Sequence, residues 1–197
     1  MIKFEQVSFS YGKKEVLKEL SFTLERNSVL ALMGPSGCGK TTLLQLAAGL
    51  QKPKSGKIVT DASRISYVFQ EPRLFPWLTV RENVAVMMNE KDKTKMNARI
   101  DELLQLVRLH DSAEFLPSQL SGGMKSRVAL ARALAYDGEL YLLDEPFAAL
   151  DEKLRIELTD LLLAHLRKRN AAAILVTHQR ADAERLADRV MELTPIS

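Results

Sequence analysis

A glycine-rich stretch, GPSGCGKTT at residues 34–42, places the strongest constraint on how this chain can fold. An apolar run at residues 29–33 precedes it, and a largely apolar run follows at residues 43–48. The first run is typical of a buried parallel strand and the second of a helix. A phosphate-binding loop requires that order of strand, loop and helix. The sequence therefore predicts a sheet with a triphosphate site at the end of one strand.

The loop contains three glycines, Gly34, Gly37 and Gly39. Glycines let the backbone turn tightly and direct N–H groups inward, which forms an anion site at the positive end of the following helix. We expect Lys40 to reach the β- and γ-phosphates, Thr41 to place its hydroxyl on Mg²⁺, and Thr42 to reach the α-phosphate. Cys38, the only cysteine, is interpreted as a small residue in a crowded loop, because nothing nearby marks it as a nucleophile.

The composition favours a single cytosolic domain. The chain has 197 residues, of which 46% are hydrophobic, which suits one sizeable core. The sequence contains no apolar run long enough for a transmembrane helix, and residues 1–5 lack the apolar core of a signal peptide. The net charge is +3, but the basic residues are dispersed among 25 acidic ones. This distribution gives nucleic-acid binding little support.

Two segments before the loop, residues 2–11 and 20–25, alternate apolar and polar side chains. This alternation predicts two half-buried antiparallel strands with a turn between them. Tyr11 ends the first strand ahead of the phosphate loop, where an aromatic face can stack on an adenine ring. Taken alone, Tyr11 would be an ordinary aromatic residue at a strand end.

Three more buried strands are predicted after the loop, each followed by polar residues; they cover residues 64–69, 139–145 and 172–177. Gln70 can hydrogen-bond Mg²⁺-bound water and the γ-phosphate, although alone it would be a polar residue leaving a sheet. Asp144 can hold Mg²⁺ through water, and Glu145 can polarise a water in line with the γ-phosphate. His178 can contact the γ-phosphate and orient that water, although a lone histidine there would more often be structural.

The pattern changes to helices between the first and second of these buried segments. Apolar residues at helical spacing predict helices over residues 80–88 and 96–107, and the charge run at 89–95 is interpreted as a solvated loop. The apolar loop at residues 71–79 contains two prolines and Trp77, the only tryptophan. Such a loop either packs inward or contacts a partner.

A second glycine-containing helix start, LSGGM at residues 120–124, follows this region. Ser121 is a good N-cap, while Gly122 and Gly123 expose backbone N–H groups, so the segment predicts an anion site without a lysine. The alternative is a capped helix and no more. Two phosphate sites for one nucleotide suggest that the second serves another copy of the chain.

Together these segments resemble the nucleotide-binding subunits of ATP-binding cassette (ABC) transporters over essentially the whole chain. The motifs occur in the family's order: Tyr11, the Walker A loop at 34–42, the glutamine loop at Gln70, the signature at 120–124, the Walker B strand ending at Asp144 and Glu145, the loop at 149–151 and the switch His178. Any one of them could arise by chance, but the ordered set is specific.

The resemblance implies one nucleotide-binding domain over residues 1–197, of the α/β class. Its parts are a RecA-like P-loop NTPase core with a mainly parallel sheet flanked by helices, an antiparallel β-subdomain, and a helical subdomain at about 71–125. We expect no C-terminal regulatory domain.

The resemblance also implies hydrolysis of ATP with Mg²⁺. The implied catalytic residues are Glu145, His178 and Gln70, and the implied metal-binding residues are Thr41, Gln70 and Asp144. The implied nucleotide-binding residues are Tyr11, Gly34, Ser36, Gly37, Cys38, Gly39, Lys40, Thr41 and Thr42, with Ser121, Gly122 and Gly123 contributed by the second copy of a head-to-tail dimer.

The expected partners are integral membrane permease subunits and an extracytoplasmic solute-binding protein, and no nucleic acid. The chain would then lie on the cytoplasmic face of the plasma (inner) membrane. Residues 75–84 look most like importers of the nitrate, sulfonate and taurine group, which predicts a small anionic or organic solute. The alternatives are an exporter or lipoprotein-releasing ATPase, and a soluble cassette ATPase of DNA repair or translation. Soluble ATPases generally carry a coiled-coil insertion or a second cassette, and this chain has neither.

Three positions depart from the usual family pattern, namely Met124 at the end of the signature, Ser126 in the following helix, and Gln179 after the histidine. Because Ser121 and both glycines remain, we expect activity. Weaker coupling through the signature is the alternative.

Overall fold

A computed structural model describes residues 1–196 of the chain. The strands are β1 (Ile2–Tyr11), β2 (Lys14–Leu24), β3 (Val29–Met33), β4 (Ser55–Thr60), β5 (Ile65–Val68), β6 (Leu140–Asp144), β7 (Ala172–Val176) and β8 (Arg189–Glu192). The helices are α1 (Lys40–Ala47), α2 (Val80–Ala85), α3 (Lys93–Leu106), α4 (Gly122–Ala135), α5 (Glu152–Lys168) and α6 (Arg180–Leu186). Two short 3-10 turns, His110–Ser112 and Pro117–Gln119, lie between α3 and α4.

Five strands form a parallel sheet in the order β5-β6-β7-β3-β8. Every residue of β6 and β7 is buried, as expected for parallel strands covered on both faces. In the register, Val176 lies opposite Asp144 on one side and Leu32 on the other. The carboxyl ends of β3, β6 and β7 therefore meet at one edge, which brings together the segments that follow them.

The parallel sheet separates two hydrophobic cores. Leu140 and Leu142 of β6 pack with α1 and the antiparallel sheet, while Tyr141 and Leu143 pack with α2 to α6 on the other face. This alternation follows from the two-residue period of a strand. The α/β class predicted from the sequence is confirmed.

The antiparallel sheet has the order β2-β1-β4. Phe4 of β1 and Phe22 of β2 stack with their ring centroids 4.6 Å apart, and this cross-strand contact stabilises the pairing of the two strands. The second strand begins at Lys14, earlier than the alternation at residues 20–25 predicted. β4 pairs with β1 and completes this sheet.

The helical region differs from the prediction at its helix ends. α2 stops at Ala85 rather than at residue 88. α3 begins at Lys93, because the Asp92 carboxylate caps it by accepting from the backbone N–H groups of Thr94 and Lys95 at 2.9 and 3.2 Å. Within the charge run at 89–95, residues 89–92 therefore form a loop and residues 93–95 begin α3. Within residues 1–196, none of the helices has the length and apolar character that crossing a membrane requires.

Candidate functional site: a phosphate-binding cleft

A cleft of about 310 Å³ opens at the carboxyl edge of the parallel sheet. It is lined by Tyr11, Lys14, Val16, Ser36, Gly37, Gly39, Lys40, Thr41, Thr42, Gln70, Glu145 and His178. Residues from five separate segments of the sequence therefore meet in one place. Tyr11 is half exposed at the rim, and its hydroxyl donates to Gln45 Oε1 at 3.3 Å.

The loop between β3 and α1 can be built only with glycine at two of its positions. Gly34 has a φ of 140°, and a Cβ there would lie 2.2 Å from the carbonyl oxygen of Leu193. Gly39 has a φ of 101°, and a Cβ there would lie 2.9 Å from Val16. No side chain caps the first turn of α1, so its N–H groups are available to an anion in the cleft.

Lys40 is buried at the base of the cleft, with 6% of its surface exposed. Its Nζ donates to the carbonyl oxygens of Gly34 at 2.7 Å and Pro35 at 2.9 Å, which holds the positive charge inside the curve of the loop. Cys38 is also buried, and its Sγ lies 3.9 Å from Nζ. This packing fits the interpretation of Cys38 as a small filling residue.

The end of β6 carries a buried carboxylate that faces the loop. Thr41 Oγ1 donates to Asp144 Oδ2 at 2.8 Å. Burial raises the pKa of Asp144 and the neighbouring Glu145 raises it further, while the Thr41 hydrogen bond and the charge of Lys40 lower it. A hard divalent cation prefers such oxygen ligands and would relieve the cost of the buried charge. Thr41 and Asp144, with Gln70 on the cleft wall, therefore suit Mg²⁺.

We expect Asp144→Asn to stabilise the chain in the absence of nucleotide. A pKa raised in the folded state means that the ionised carboxylate destabilises the fold, so the wild type loses stability as the pH rises through that pKa. Asparagine keeps an acceptor for Thr41 without the charge. Thermal denaturation should show the variant melting a few degrees higher at about pH 8, with a smaller difference at about pH 5. A lower melting temperature for the variant at the higher pH would contradict this account.

Glu145 and His178 form a pair that also lines the cleft. His178 Nε2 lies 2.9 Å from Glu145 Oε1. The backbone of Glu145 has a φ of 50°, in the left-handed region, and its N–H donates to the carbonyl of Val176 at 3.0 Å. A non-glycine residue in that region is strained, and such strain is common at functional sites. The turn aims the carboxylate into the cleft, where it can accept a hydrogen bond from a water beside a bound phosphate.

The signature segment lies outside this cleft. Ser121 caps α4 as predicted, with its Oγ accepting from the Met124 N–H at 3.2 Å, and it is exposed with Gly122. Gly123 approaches the loop at 149–151, where an added Cβ would lie 2.7 Å from the carbonyl oxygen of Ala149. None of the three predicted signature residues lines the cleft of its own chain.

Comparison with known proteins decides the family. A family model described as "ABC transporter" matches residues 17–148, which is more than half of the chain. The chain belongs to the ABC transporter family. The resemblance inferred from the motif order is thereby confirmed.

Curated relatives of this cassette are named as import ATP-binding proteins. It is 43% identical over 202 residues to the sulfate/thiosulfate import ATP-binding protein CysA of Synechococcus elongatus, with 96% of this chain and 59% of the relative covered. It is 41% identical over 202 residues to the aliphatic sulfonates import ATP-binding protein SsuB of Bacillus licheniformis, with 98% and 79% covered. It spans 55% of an Fe(3+) ions import ATP-binding protein of Haemophilus influenzae, at 43% identity over 91% of this chain.

Solved cassette structures share the fold of this chain. One is described as the dimeric structure of a post-hydrolysis state of the ATP-binding cassette MJ0796 bound to ADP and Pi. It has a TM-score of 0.90 at 30% identity, with 98% of this chain and 94% of that chain covered.

Three residues of this cassette bear on the site although sequence reasoning missed them. Lys14 and Val16 line the cleft from the β1–β2 hairpin. Arg132 donates from its guanidinium to the carbonyl oxygens of Pro72 and Arg73, both at 2.9 Å, and so fixes the loop that follows Gln70. Burial lowers the pKa of Arg132. The sequence feature that could have identified Arg132 is its position as a charged residue within the apolar stretch of α4.

Proposed function

We propose that this cassette binds and hydrolyses ATP with Mg²⁺ in the cleft and thereby powers a membrane importer. The observation that carries the proposal is the convergence of a buried lysine, a carboxylate–hydroxyl pair and a carboxylate–histidine pair on one glycine-lined cleft. The names of the relatives support the direction of transport.

Each residue then has a defined part in the reaction. The loop N–H groups and Lys40 bind the phosphates, and Tyr11 packs against the base. Thr41 and Asp144 would hold Mg²⁺, which would supply positive charge to offset that of the phosphates. The Glu145 carboxylate accepts a hydrogen bond from the attacking water, and His178 orients that carboxylate from 2.9 Å away.

A second copy of the cassette completes the site in this proposal. The exposed segment around Ser121 presents N–H groups at the start of α4, outside its own cleft. In a head-to-tail dimer these groups would face the γ-phosphate held by the partner. The dimeric state described for the related cassette structures supports this arrangement.

An exposed aromatic surface supports contact with a membrane permease. Trp77 is 71% exposed, and its ring centroid lies 5.8 Å from that of Phe75. The buried Asn83 holds the loop in place, because its Nδ2 donates to the carbonyl oxygens of Phe75 and Leu78 at 3.2 and 2.9 Å. A tryptophan held outward on a rigid loop is typical of an interaction surface.

Trp77→Ala should weaken assembly with the permease and leave nucleotide binding by the isolated cassette unchanged. Truncation of an aromatic anchor at an interface costs about 2 kcal/mol or more. Co-purification of permease and cassette measures assembly, and titration with a fluorescent ATP analogue measures binding. Leu50→Ala is the matched control, since Leu50 is also an exposed apolar residue, at 58%. Equal assembly of both variants would show that the loop is not part of the interface.

The transported solute is proposed to be a small anionic or organic molecule, delivered by an extracytoplasmic solute-binding protein. Relatives named for sulfate and sulfonates support this class. In that system the cassette lies on the cytoplasmic face of the inner membrane. We expect the cassette to be recovered from cells together with a permease. We also expect the recovered complex to hydrolyse ATP. A stable complex with DNA or ribosomes, and none with a membrane protein, would contradict the proposal.

A further inference from the structure

A buried carboxylate lies behind the switch histidine and belongs to none of the family motifs quoted above. Asp182, in the first turn of α6, is 4% exposed. Its Oδ1 lies 3.3 Å from Nη1 of Arg155 on α5, and the two side chains are 6% and 13% exposed. Burial raises the pKa of Asp182, and Arg155 opposes that shift. A buried ion pair of this kind is costly to desolvate, which calls for a role beyond stability.

Thr177 connects this carboxylate to the backbone around His178. Thr177 and Asp182 line the same small space, and hydrogen bonding by the Thr177 side chain lowers the pKa of the Asp182 carboxyl. Thr177 Oγ1 also accepts from the Gln179 N–H at 3.0 Å. The Thr177 side chain therefore binds the backbone beyond His178 and lies beside the buried carboxylate. The Gln179 side chain does not cap α6. Its backbone holds the turn instead, because its N–H donates to Thr177 Oγ1 and its carbonyl accepts from the N–H groups of Asp182 and Ala183.

A small cavity makes that anchor necessary. A space of about 110 Å³ lies behind Glu145 and His178, and Asp182 forms part of its wall. Close packing therefore does not fix the histidine from this side.

Arg155 joins this link to the start of α5. Asp151 caps α5 by accepting from the Leu154 N–H at 3.0 Å, and its carbonyl accepts from the Arg155 N–H at 2.9 Å. The loop that ends at Asp151 also approaches Gly123 of the signature. The Arg155–Asp182 pair thus spans the distance between the signature side of the cassette and the switch histidine.

We propose that Arg155 and Asp182 are positioning residues, which hold Thr177 and thereby orient His178 toward the Glu145 carboxylate. This inference rests on the proposed ATPase function. Neither residue lines the nucleotide cleft. Loss of the pair should therefore reduce the rate of hydrolysis and leave ATP affinity unchanged.

The test is a double variant, Arg155→Met with Asp182→Leu, in the full chain. Apolar replacement of a buried ion pair is often neutral or stabilising, so the variant should fold, as thermal denaturation will show. The Thr177 hydroxyl then loses its acceptor. We expect kcat for MgATP hydrolysis to fall by about tenfold or more, with KM and the Kd of a fluorescent ATP analogue within about twofold of wild type. Arg155→Lys, which keeps the charge, should retain most of the rate.

A second ion pair between the same helices provides the matched control. Arg185 of α6 binds Asp160 of α5 at the surface, with Nη2 2.6 Å from Oδ2. The variant Arg185→Met with Asp160→Leu should keep the wild-type kcat. A wild-type kcat in the Arg155 and Asp182 double variant would overturn the inference. An equal loss in the control would also overturn it, because the effect would then belong to α5–α6 packing in general.

Failure of the proposed function would look different. If the wild-type chain does not hydrolyse MgATP, or if Glu145→Gln hydrolyses it at the wild-type rate, the catalytic assignment itself is wrong, and the positioning role is lost with it. If Glu145→Gln is inactive and the double variant is fully active, only the positioning role is wrong.

Discussion

Glu145→Gln is expected to bind ATP with wild-type affinity and to lose nearly all hydrolysis. Glutamine has the shape of glutamate, and its amide oxygen can still accept from His178 Nε2, which lies 2.9 Å from the carboxylate. The neutral amide is a poor acceptor for the proton of an attacking water. Because a positioned general base contributes about 10²–10⁴-fold, phosphate release should fall by at least about 100-fold.

The matched control for this variant is Glu152→Gln. Glu152 is an exposed carboxylate in the first turn of α5, outside the cleft. Its replacement should leave both ATP binding and phosphate release unchanged. Wild-type phosphate release by Glu145→Gln would remove this carboxylate from the chemistry.

Lys40→Ala is expected to lose most of its affinity for ATP. The lysine Nζ sits inside the phosphate loop, 2.7 Å from the carbonyl oxygen of Gly34, where it can turn toward a bound phosphate. Hydrogen bonds that involve a charged group contribute about 1.5–3 kcal/mol, so affinity should fall roughly 10- to 100-fold. Titration with a fluorescent ATP analogue measures the change.

Lys13→Ala is the corresponding control. Lys13 is an exposed lysine in the turn between β1 and β2, and it does not line the cleft. This variant should bind the analogue as the wild type does. Affinity of Lys40→Ala within twofold of wild type would show that the loop does not hold phosphates through this side chain.

The parallel core of the fold could be predicted from local sequence alone. The strands β3, β6 and β7 are mainly apolar, because almost all of their residues are buried between the layers on both faces of the sheet. The residues just after these runs could then be assigned to one sheet edge, since parallel strands align their carboxyl ends. The roles predicted for Lys40, Glu145 and His178 at the phosphates require all three in one cleft, and all three line it.

Helix ends were less predictable because capping competes with apolar periodicity. Residues 93–95 are polar and carry no core-facing pattern, yet they are helical because Asp92 satisfies the first N–H groups of α3. Residues 86–88 are apolar, yet they follow the end of α2 at Ala85. Apolar character alone does not extend a helix.

The supporting contacts of the site could not be predicted, because they join distant parts of the chain. Lys14 enters the cleft only because the β1–β2 hairpin reaches it. Arg132 binds two backbone carbonyl oxygens, and Asp182 pairs with Arg155 of another helix, which no spacing rule identifies. Trp77 could face inward or outward by sequence, and only the folded loop, held by Asn83, places it outward.

We propose that one chain supplies half of the site and that a second copy supplies the rest. The direct test is the molar mass of Glu145→Gln by size-exclusion chromatography with light scattering, with and without ATP. We predict a dimer with ATP, and a monomer with ATP when Ser121→Arg is added to the same chain, which still binds the nucleotide. A monomeric Glu145→Gln chain at saturating ATP, or a dimer that forms equally well with Ser121→Arg, would contradict the account.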